Sequence, residues 1–256
     1  AASDVYKRQT TKIIHIDIDP AEIGKNIGAD LPLVGDAKLV LQQMTELAKP
    51  MKHDEWIAHI KTLGGERKYV EPAKGTVNPR VFIDRLAKKM PANVTVVADV
   101  GQNQIWTCTE YKFRKEGRLL TSGGMGTMGY SVPAAIGAKM ADNSRATVAI
   151  CGDGAFQMSF MELATAVQFG VDIKVVVMTN NRLGMVRELQ TNGYHDRQTA
   201  VFLDGSPDFI KLAEAYGIPA MRVYDDDTME KGVEMLAEHK GICLVEVVVD
   251  KDMPTL

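Results

Sequence analysis

Two short polar clusters, each closing an apolar run, constrain this chain more than any other feature. Residues 149–190 read AICGDGAFQMSFMELATAVQFGVDIKVVVMTNNRLGMVRELQ. One apolar run ends in Cys151 and meets Gly152-Asp153-Gly154; a helix-period segment follows. A second run, Ile173–Thr179, ends in Asn180-Asn181. Continuous apolar runs bounded by turn residues predict strands buried on both faces of a parallel sheet. Asp153 and Asn180 lie 27 positions apart, which suits one strand–helix–strand crossover. Ligands of open parallel sheets collect outside the carboxyl ends of the strands, so the two clusters are expected at one site.

The residue types there suit a diphosphate held through a metal. Asp153 offers a carboxylate, Asn180 an amide oxygen, and the turn beyond it a backbone carbonyl, that of Arg182. Three hard oxygens leave coordination positions for phosphate oxygens and water, as Mg²⁺ prefers. Gly154 and Ala155 allow close backbone approach where a helix begins and its amides favour phosphate. Either cluster alone reads as a turn. The pair at this spacing resembles the GDG-then-NN motif of thiamine-diphosphate enzymes.

The totals exclude several alternatives. A net charge of −3 over 256 residues gives no electrostatic case for nucleic acid or an anionic membrane. No apolar run reaches bilayer length, and no signal-peptide pattern opens the chain. Cys108, Cys151 and Cys243 form no CxxC pair and read as reduced core or near-core thiols of a cytoplasmic protein.

In order along the chain, residues 1–9 (AASDVYKRQ) read as a non-native leader. Lys12–Asp19 alternates as a strand. Asp36 should cap a helix to about Leu47, with Leu39, Val40, Met44 and Leu47 on one face. Residues 10–50 lack the strands for a core of their own and read as the tail of a preceding domain. Residues 51–77, with an amphipathic stretch around Trp56 and then Gly64-Gly65, read as a linker. His15 is expected partly buried with a hydrogen bond; His53 and His59 are expected on a solvated face. From residue 78 to 256 five buried runs alternate with helices, which predicts an α/β domain with a doubly wound parallel sheet.

Gly124-Met-Gly126-Thr-Met-Gly129 matches GxGxxG by letters. A dinucleotide fingerprint needs a strand directly before it and an acidic residue about 20 positions on, and neither is evident. It reads better as a loop approaching a flat ring, with Met125 or Met128 as an apolar wedge. Gln102 and Asn103 leave another strand end and can donate to phosphate oxygens. Glu162 reads as a structural or solvated carboxylate, and His195 and Arg197 fall in a polar loop that could act as a lid.

Five stretches, HIDIDPAEIGKN (15–26), DVGQNQIW (99–106), TSGGMGTMGYSVPAAIGA (121–138), GDGAFQM (152–158) and NNRLGMV (180–186), together resemble the C-terminal part of acetohydroxyacid synthase (acetolactate synthase) catalytic subunits. The resemblance implies a thiamine-diphosphate-binding fold that decarboxylates pyruvate and condenses the hydroxyethyl group with a second 2-oxoacid, pyruvate or 2-oxobutyrate, in branched-chain amino-acid biosynthesis. It implies Mg²⁺ on Asp153, Asn180 and the Arg182 carbonyl, and diphosphate at Gln102, Asn103, Gly154 and Ala155. Gly126 would contact the aminopyrimidine, Met128 would bend the cofactor into its reactive V shape, and Met185 and Val186 would touch its rings. Residues 10–50 would end a central FAD-binding-type domain. Leu189 stands where many members carry tryptophan, which bears on acceptor preference, and Asn103 replaces a frequent histidine. The family further implies a homodimer or dimer of dimers with its site at the subunit interface, an activating glutamate on an absent N-terminal domain of the partner, and in some members a regulatory small subunit. The chain alone is therefore expected to be inactive. The rival readings are another thiamine-diphosphate enzyme (glyoxylate carboligase, pyruvate oxidase or 2-oxoacid decarboxylase type), a non-catalytic cofactor-binding module, and a nicotinamide dehydrogenase.

Overall fold

The computed structural model describes residues 12–63 and 69–256, which fall into two compact units. Residues 1–9, which the sequence reading takes as a leader, and Gly64-Gly65 lie outside the described residues.

In the first unit, strands β1 (Ile14–Asp17) and β2 (Leu31–Val34) pair in parallel and are followed by helix α1 (Ala37–Leu47). Asp36 caps α1 by accepting from the Leu39 amide at 3.1 Å. His15 is half-buried and accepts from the Gly24 amide at 3.2 Å, as expected. β2 was not foreseen, because Pro32 in a four-residue run hides it. Leu39, Met44 and Leu47 of α1 are exposed. The stretch read as linker contains a formed helix, α2 (Asp54–Leu63), which carries Asp54 and Glu55 in its first turn and Lys61 in its last, matching the helix dipole.

The second unit is a six-stranded, wholly parallel sheet with helices on both faces. Helix α3 (Pro79–Lys89) starts on the Asn78 cap with proline at its first turn. Then come β3 (Thr95–Ala98), α4 (Gln102–Glu110), β4 (Arg118–Thr121), α5 (Ser131–Ala141), β5 (Thr147–Gly152) and the single turn α6 (Asp153–Phe156). A 3-10 turn at Phe160–Glu162 leads into α7 (Leu163–Gln168), β6 (Lys174–Thr179), α8 (Gly184–Gly193) and α9 (Phe209–Ala215). The chain closes with β7 (Ala220–Val223), α10 (Asp226–Glu238) and β8 (Cys243–Val248). The strand order is β4-β3-β5-β6-β8-β7.

Alternate residues of each central strand feed two cores. Val96, Val148, Ile150, Val176 and Met178 pack with Phe82, Leu86, Trp106 and Leu236 on one face. Val97, Ala149, Cys151, Val175 and Val177 pack with Val132, Ala135, Leu163 and Phe209 on the other. Burial on both faces is why these strands read as unbroken apolar runs.

Three expectations are corrected. The sheet has six strands, since Arg118–Thr121 is an edge strand only partly buried and therefore weakly patterned. The segment after Gly-Asp-Gly is three short turns broken at Gln157–Ser159 rather than one helix. Cys151 and Cys243 are buried, but Cys108 is exposed on α4 and is not a core thiol.

Strand order sets the place of the site. From β3 the chain moves outward to β4, returns to β5 on the other side of β3, and continues to β6. The order reverses between β3 and β5, and a crevice opens there at the carboxyl ends.

Candidate active site

Three strand ends meet at this crevice. Ala98 is in register with Ile150, and Gly152 with Met178, so Asp99, Asp153 and Asn180 emerge side by side. A cavity of about 220 Å³ lies over them. Its lining includes Gln102, Asn103, Gly126, Met128, Asp153, Gly154, Ala155, Asn180, Arg182, Met185 and Val186. Every residue anticipated for cofactor or metal thus borders one cavity. Leu189 does not line it; it is exposed on α8, one turn beyond Met185.

Asp153 is 1% exposed. Its Oδ1 accepts from the Gly154 amide at 2.8 Å, and its Oδ2 from the amides of Asn180 and Asn181 at 3.1 and 2.7 Å. Burial pushes its pKa up to about 6 in spite of those three donors. No Lys, Arg or His ion pair with Asp153 exists among the described residues. A buried carboxylate met only by amides lacks a compensating charge. Asn181 sits at φ +54°, a left-handed conformation that asparagine tolerates better than most residues. That bend redirects the chain immediately after the two amides that meet Asp153.

The donor set fits Mg²⁺ carrying a diphosphate. It comprises one carboxylate, the Asn180 amide oxygen and the Arg182 carbonyl beside it, all hard oxygens. Among the described residues no group of three His, Cys, Asp or Glu side chains could hold a metal on its own, so phosphate oxygens and water would have to complete the sphere. Two glycines of the lining are required by the protein's own packing. A Cβ on Gly154 would stand 2.7 Å from Leu183 Cδ2 and 3.4 Å from Met128 Cε, and one on Gly184 would stand 1.9 Å from Gln102 Oε1.

At the strand end after β3 the side-chain amides of Gln102 and Asn103 are engaged within the protein. Gly101, at φ +132°, turns β3 into α4 and places Gln102 and Asn103 in the helix's first turn. Asn103 spends its amide nitrogen on the carbonyls of Asp99 and Ile150 at 2.8 and 3.2 Å. It pins β3 to β5, and its side-chain N–H groups are engaged there, while its backbone N–H stays in the first turn of α4. Gln102 likewise donates within the protein, to Met253 O at 2.9 Å.

Asp99 carries a role that reading the residues alone missed. Only 1% exposed, it accepts from Val100 and Gly129 at 3.0 Å each and from Ser131 at 2.7 Å. It therefore anchors the Gly124–Gly129 loop, and Met128 with it, over the cavity. The available signal was an aspartate closing an apolar run before Val-Gly.

The same contact settles the GxGxxG letters. A strand, β4, does precede them, contrary to expectation. However, the Ser131 amide at the start of α5 is taken by Asp99, and Pro133 has no N–H, so that helix's first turn is poor in free donors. Of the two residues expected in a lid, His195 lies in an exposed turn with positive φ, and Arg197 donates to Tyr194 O at 3.1 Å.

Residues 99–247 match the model of the thiamine pyrophosphate enzyme C-terminal TPP binding domain, and residues 2–44 that of the thiamine pyrophosphate enzyme central domain. The chain is 38% identical to a probable acetolactate synthase large subunit of Methanocaldococcus jannaschii, over 96% of this chain and 43% of that protein. It is 36% identical to the acetolactate synthase large subunit of Lactococcus lactis, over 93% and 42%. It is 40% identical to an acetolactate synthase of Mycobacterium leprae, over 93% and 40%. The chain thus spans about two fifths of the length of these relatives.

Proposed function

The chain belongs to the thiamine pyrophosphate enzyme family, and from that premise we propose that it is the C-terminal part of an acetolactate synthase catalytic subunit. One observation carries the reading furthest: the buried, uncompensated Asp153 carboxylate beside Asn180 and the Arg182 carbonyl at the switch point of the sheet. Those three oxygens would hold Mg²⁺. The Gly154–Ala155 backbone would face the diphosphate, with Gln102 and Asn103 behind it. Thiamine diphosphate, when bound, supplies the electron sink for decarboxylating pyruvate and joining the two-carbon unit to a second 2-oxoacid.

What this chain's own residues contribute is binding and shape. Gly126 would offer its carbonyl to the aminopyrimidine, and Met128, tethered through the Asp99–Gly129 contact, would form the wedge. Met185 and Val186 at the start of α8 would line the ring end, with Leu189 one turn on, where acceptors of different size would be told apart. None of the anticipated residues on this chain is a free acid or base, so proton transfers would depend on groups outside it.

Two further elements belong to the reading. FAD would bind the central domain, of which residues 10–50 would form the end and 51–77 the connection to 78–256. A second copy of the subunit would complete the site. Met125 (89% exposed) and Met158, which packs under Gly129, leave apolar surface beside the cavity. A regulatory small subunit and a cytoplasmic location fit the same assignment. Among the described residues no helix is long and apolar enough to cross a membrane.

The test is acetolactate formation from pyruvate by the chain supplied with an N-terminal half, thiamine diphosphate, Mg²⁺ and FAD. Activity that disappears with Asp153→Ala supports the assignment. A folded protein that binds the cofactor yet makes no acetolactate would leave the family and remove the specific reaction.

A further inference from the structure

Gln102 is the residue whose surroundings depart furthest from a diphosphate-binding role. It is buried, and its Nε2 faces three protein acceptors: Met253 O at 2.9 Å, Thr255 Oγ1 at 3.2 Å and Glu188 Oε2 at 3.3 Å. Two N–H protons cannot serve these and a phosphate as well. On its other side, Gln102 Oε1 accepts from Asn180 Nδ2 at 3.1 Å. Asn180 Oδ1 accepts from the Arg182 amide, also at 3.1 Å.

These contacts decide which way the Asn180 amide is turned. An asparagine ligates a cation through oxygen alone. Turning its side chain over would bring the NH2 group against the Arg182 N–H and the oxygen against Gln102 Oε1, replacing two hydrogen bonds with two repulsions. Gly184 leaves the space in which this Gln102–Asn180 pairing sits, since any Cβ there would collide with both side chains.

The segment that holds Gln102 is itself well held. Met253 is buried, Trp106 Nε1 donates to Pro254 O at 3.1 Å, and the Thr255 amide donates to the Glu188 carboxylate at 3.2 Å. Thr255 Oγ1 makes a further, short hydrogen bond to Glu188. Arg187, beside it on α8, is 7% exposed and has Asp252 as its carboxylate neighbour at 3.9 Å.

We propose that Gln102 is a positioning residue for Asn180, and that Asp252–Thr255 is the latch that fixes it, so that the metal site extends to the segment after β8. The chain of contacts runs from Thr255 and Met253 through Gln102 to Asn180. It rests on the reading of Asp153, Asn180 and the Arg182 carbonyl as metal ligands.

The experiment is Mn²⁺ binding followed by electron paramagnetic resonance in the presence of thiamine diphosphate. It uses the full chain complemented with the N-terminal half, and thermal unfolding is recorded for each variant. Thr255→Val should weaken Mn²⁺ binding about fivefold to tenfold, the effect of one hydrogen bond. Thr255→Ser should restore it, and the unfolding midpoint should stay near the parent value. Gln102→Glu, which can still accept from Asn180 but cannot donate to Met253 O, should weaken Mn²⁺ binding as well. If Asp153→Ala abolishes Mn²⁺ binding while Thr255→Val and Gln102→Glu bind it as the parent does, the positioning role is overturned and the ligand assignment stands. If the parent protein binds no Mn²⁺, both fall together.

Discussion

The Asp99 carboxylate accepts the backbone amide of Gly129, thirty residues along the chain, at 3.0 Å, and with its other oxygen accepts that of Ser131 at 2.7 Å. One side chain at a strand end thereby sets the position of the loop that carries Gly126 and Met128. Replacing it with asparagine turns one acceptor into a donor facing an amide. Asp99→Asn should lower unfolding stability by about 2 kcal/mol, measured by denaturant titration. It should also speed hydrogen exchange at Gly129 and Ser131. Unchanged exchange there would remove the anchoring role.

Asp153 predicts a pH dependence of the metal-free protein. Its pKa is raised from 3.8 to about 6 by burial. The folded state therefore favours the protonated form more than the unfolded state does. The resulting stabilisation is complete below pH about 4 and is lost as pH rises through about 6, with an upper bound of about 3 kcal/mol. Asp153→Asn, which cannot ionise, should flatten the stability profile between those values. Equal slopes for the two proteins in the presence of EDTA would contradict the buried, uncompensated carboxylate.

Asn181, at φ +54°, separates backbone strain from side-chain chemistry. Asn181→Gly should be tolerated within about 0.5 kcal/mol, whereas Asn181→Val should cost about 2 kcal/mol. The valine variant should also weaken Mg²⁺ binding, because the strain falls between the amide that Asp153 accepts at 2.7 Å and Arg182. Calorimetry of both variants, with and without Mg²⁺ and thiamine diphosphate, tests the two effects.

Gly184→Ala should be more harmful than a methyl group suggests. Its Cβ would stand 1.9 Å from Gln102 Oε1 and 3.0 Å from Asn180 Nδ2. The cost should be about 1–3 kcal/mol of overpacking, accompanied by loss of cofactor affinity. Fluorescence titration of thiamine diphosphate is the check. An alanine variant that binds like the parent would mean that Gln102 can leave its place freely.

The three thiols should separate on alkylation. Cys108 is exposed; Cys151 and Cys243 are buried, with burial pushing Cys243 up to about 11 and Cys151 well above its ordinary value. Iodoacetamide at pH 8 should modify Cys108 alone in the folded protein and all three in guanidinium, as read by mass spectrometry.

What the sequence by itself determined is the parallel sheet and the pairing of Asp153 with Asn180. Strands buried on both faces must be apolar along their whole length, and the polar residues that end them must stand at the carboxyl edge, so pattern and spacing suffice. Edge strand β4 escaped that logic because a half-exposed strand carries no continuous apolar signal, and β2 because Pro32 interrupts a run of only four residues. The break after Gly-Asp-Gly was likewise hidden within a helix-like period. Only tertiary structure decided where each polar group spends its hydrogen bonds. Asn103 pins β3 to β5, Gln102 is held between Asn180 and Thr255, and Asp99 reaches Gly129. Donors and acceptors are properties of residues, but their partners come from distant parts of the chain brought within about 3 Å. No local pattern records those distances.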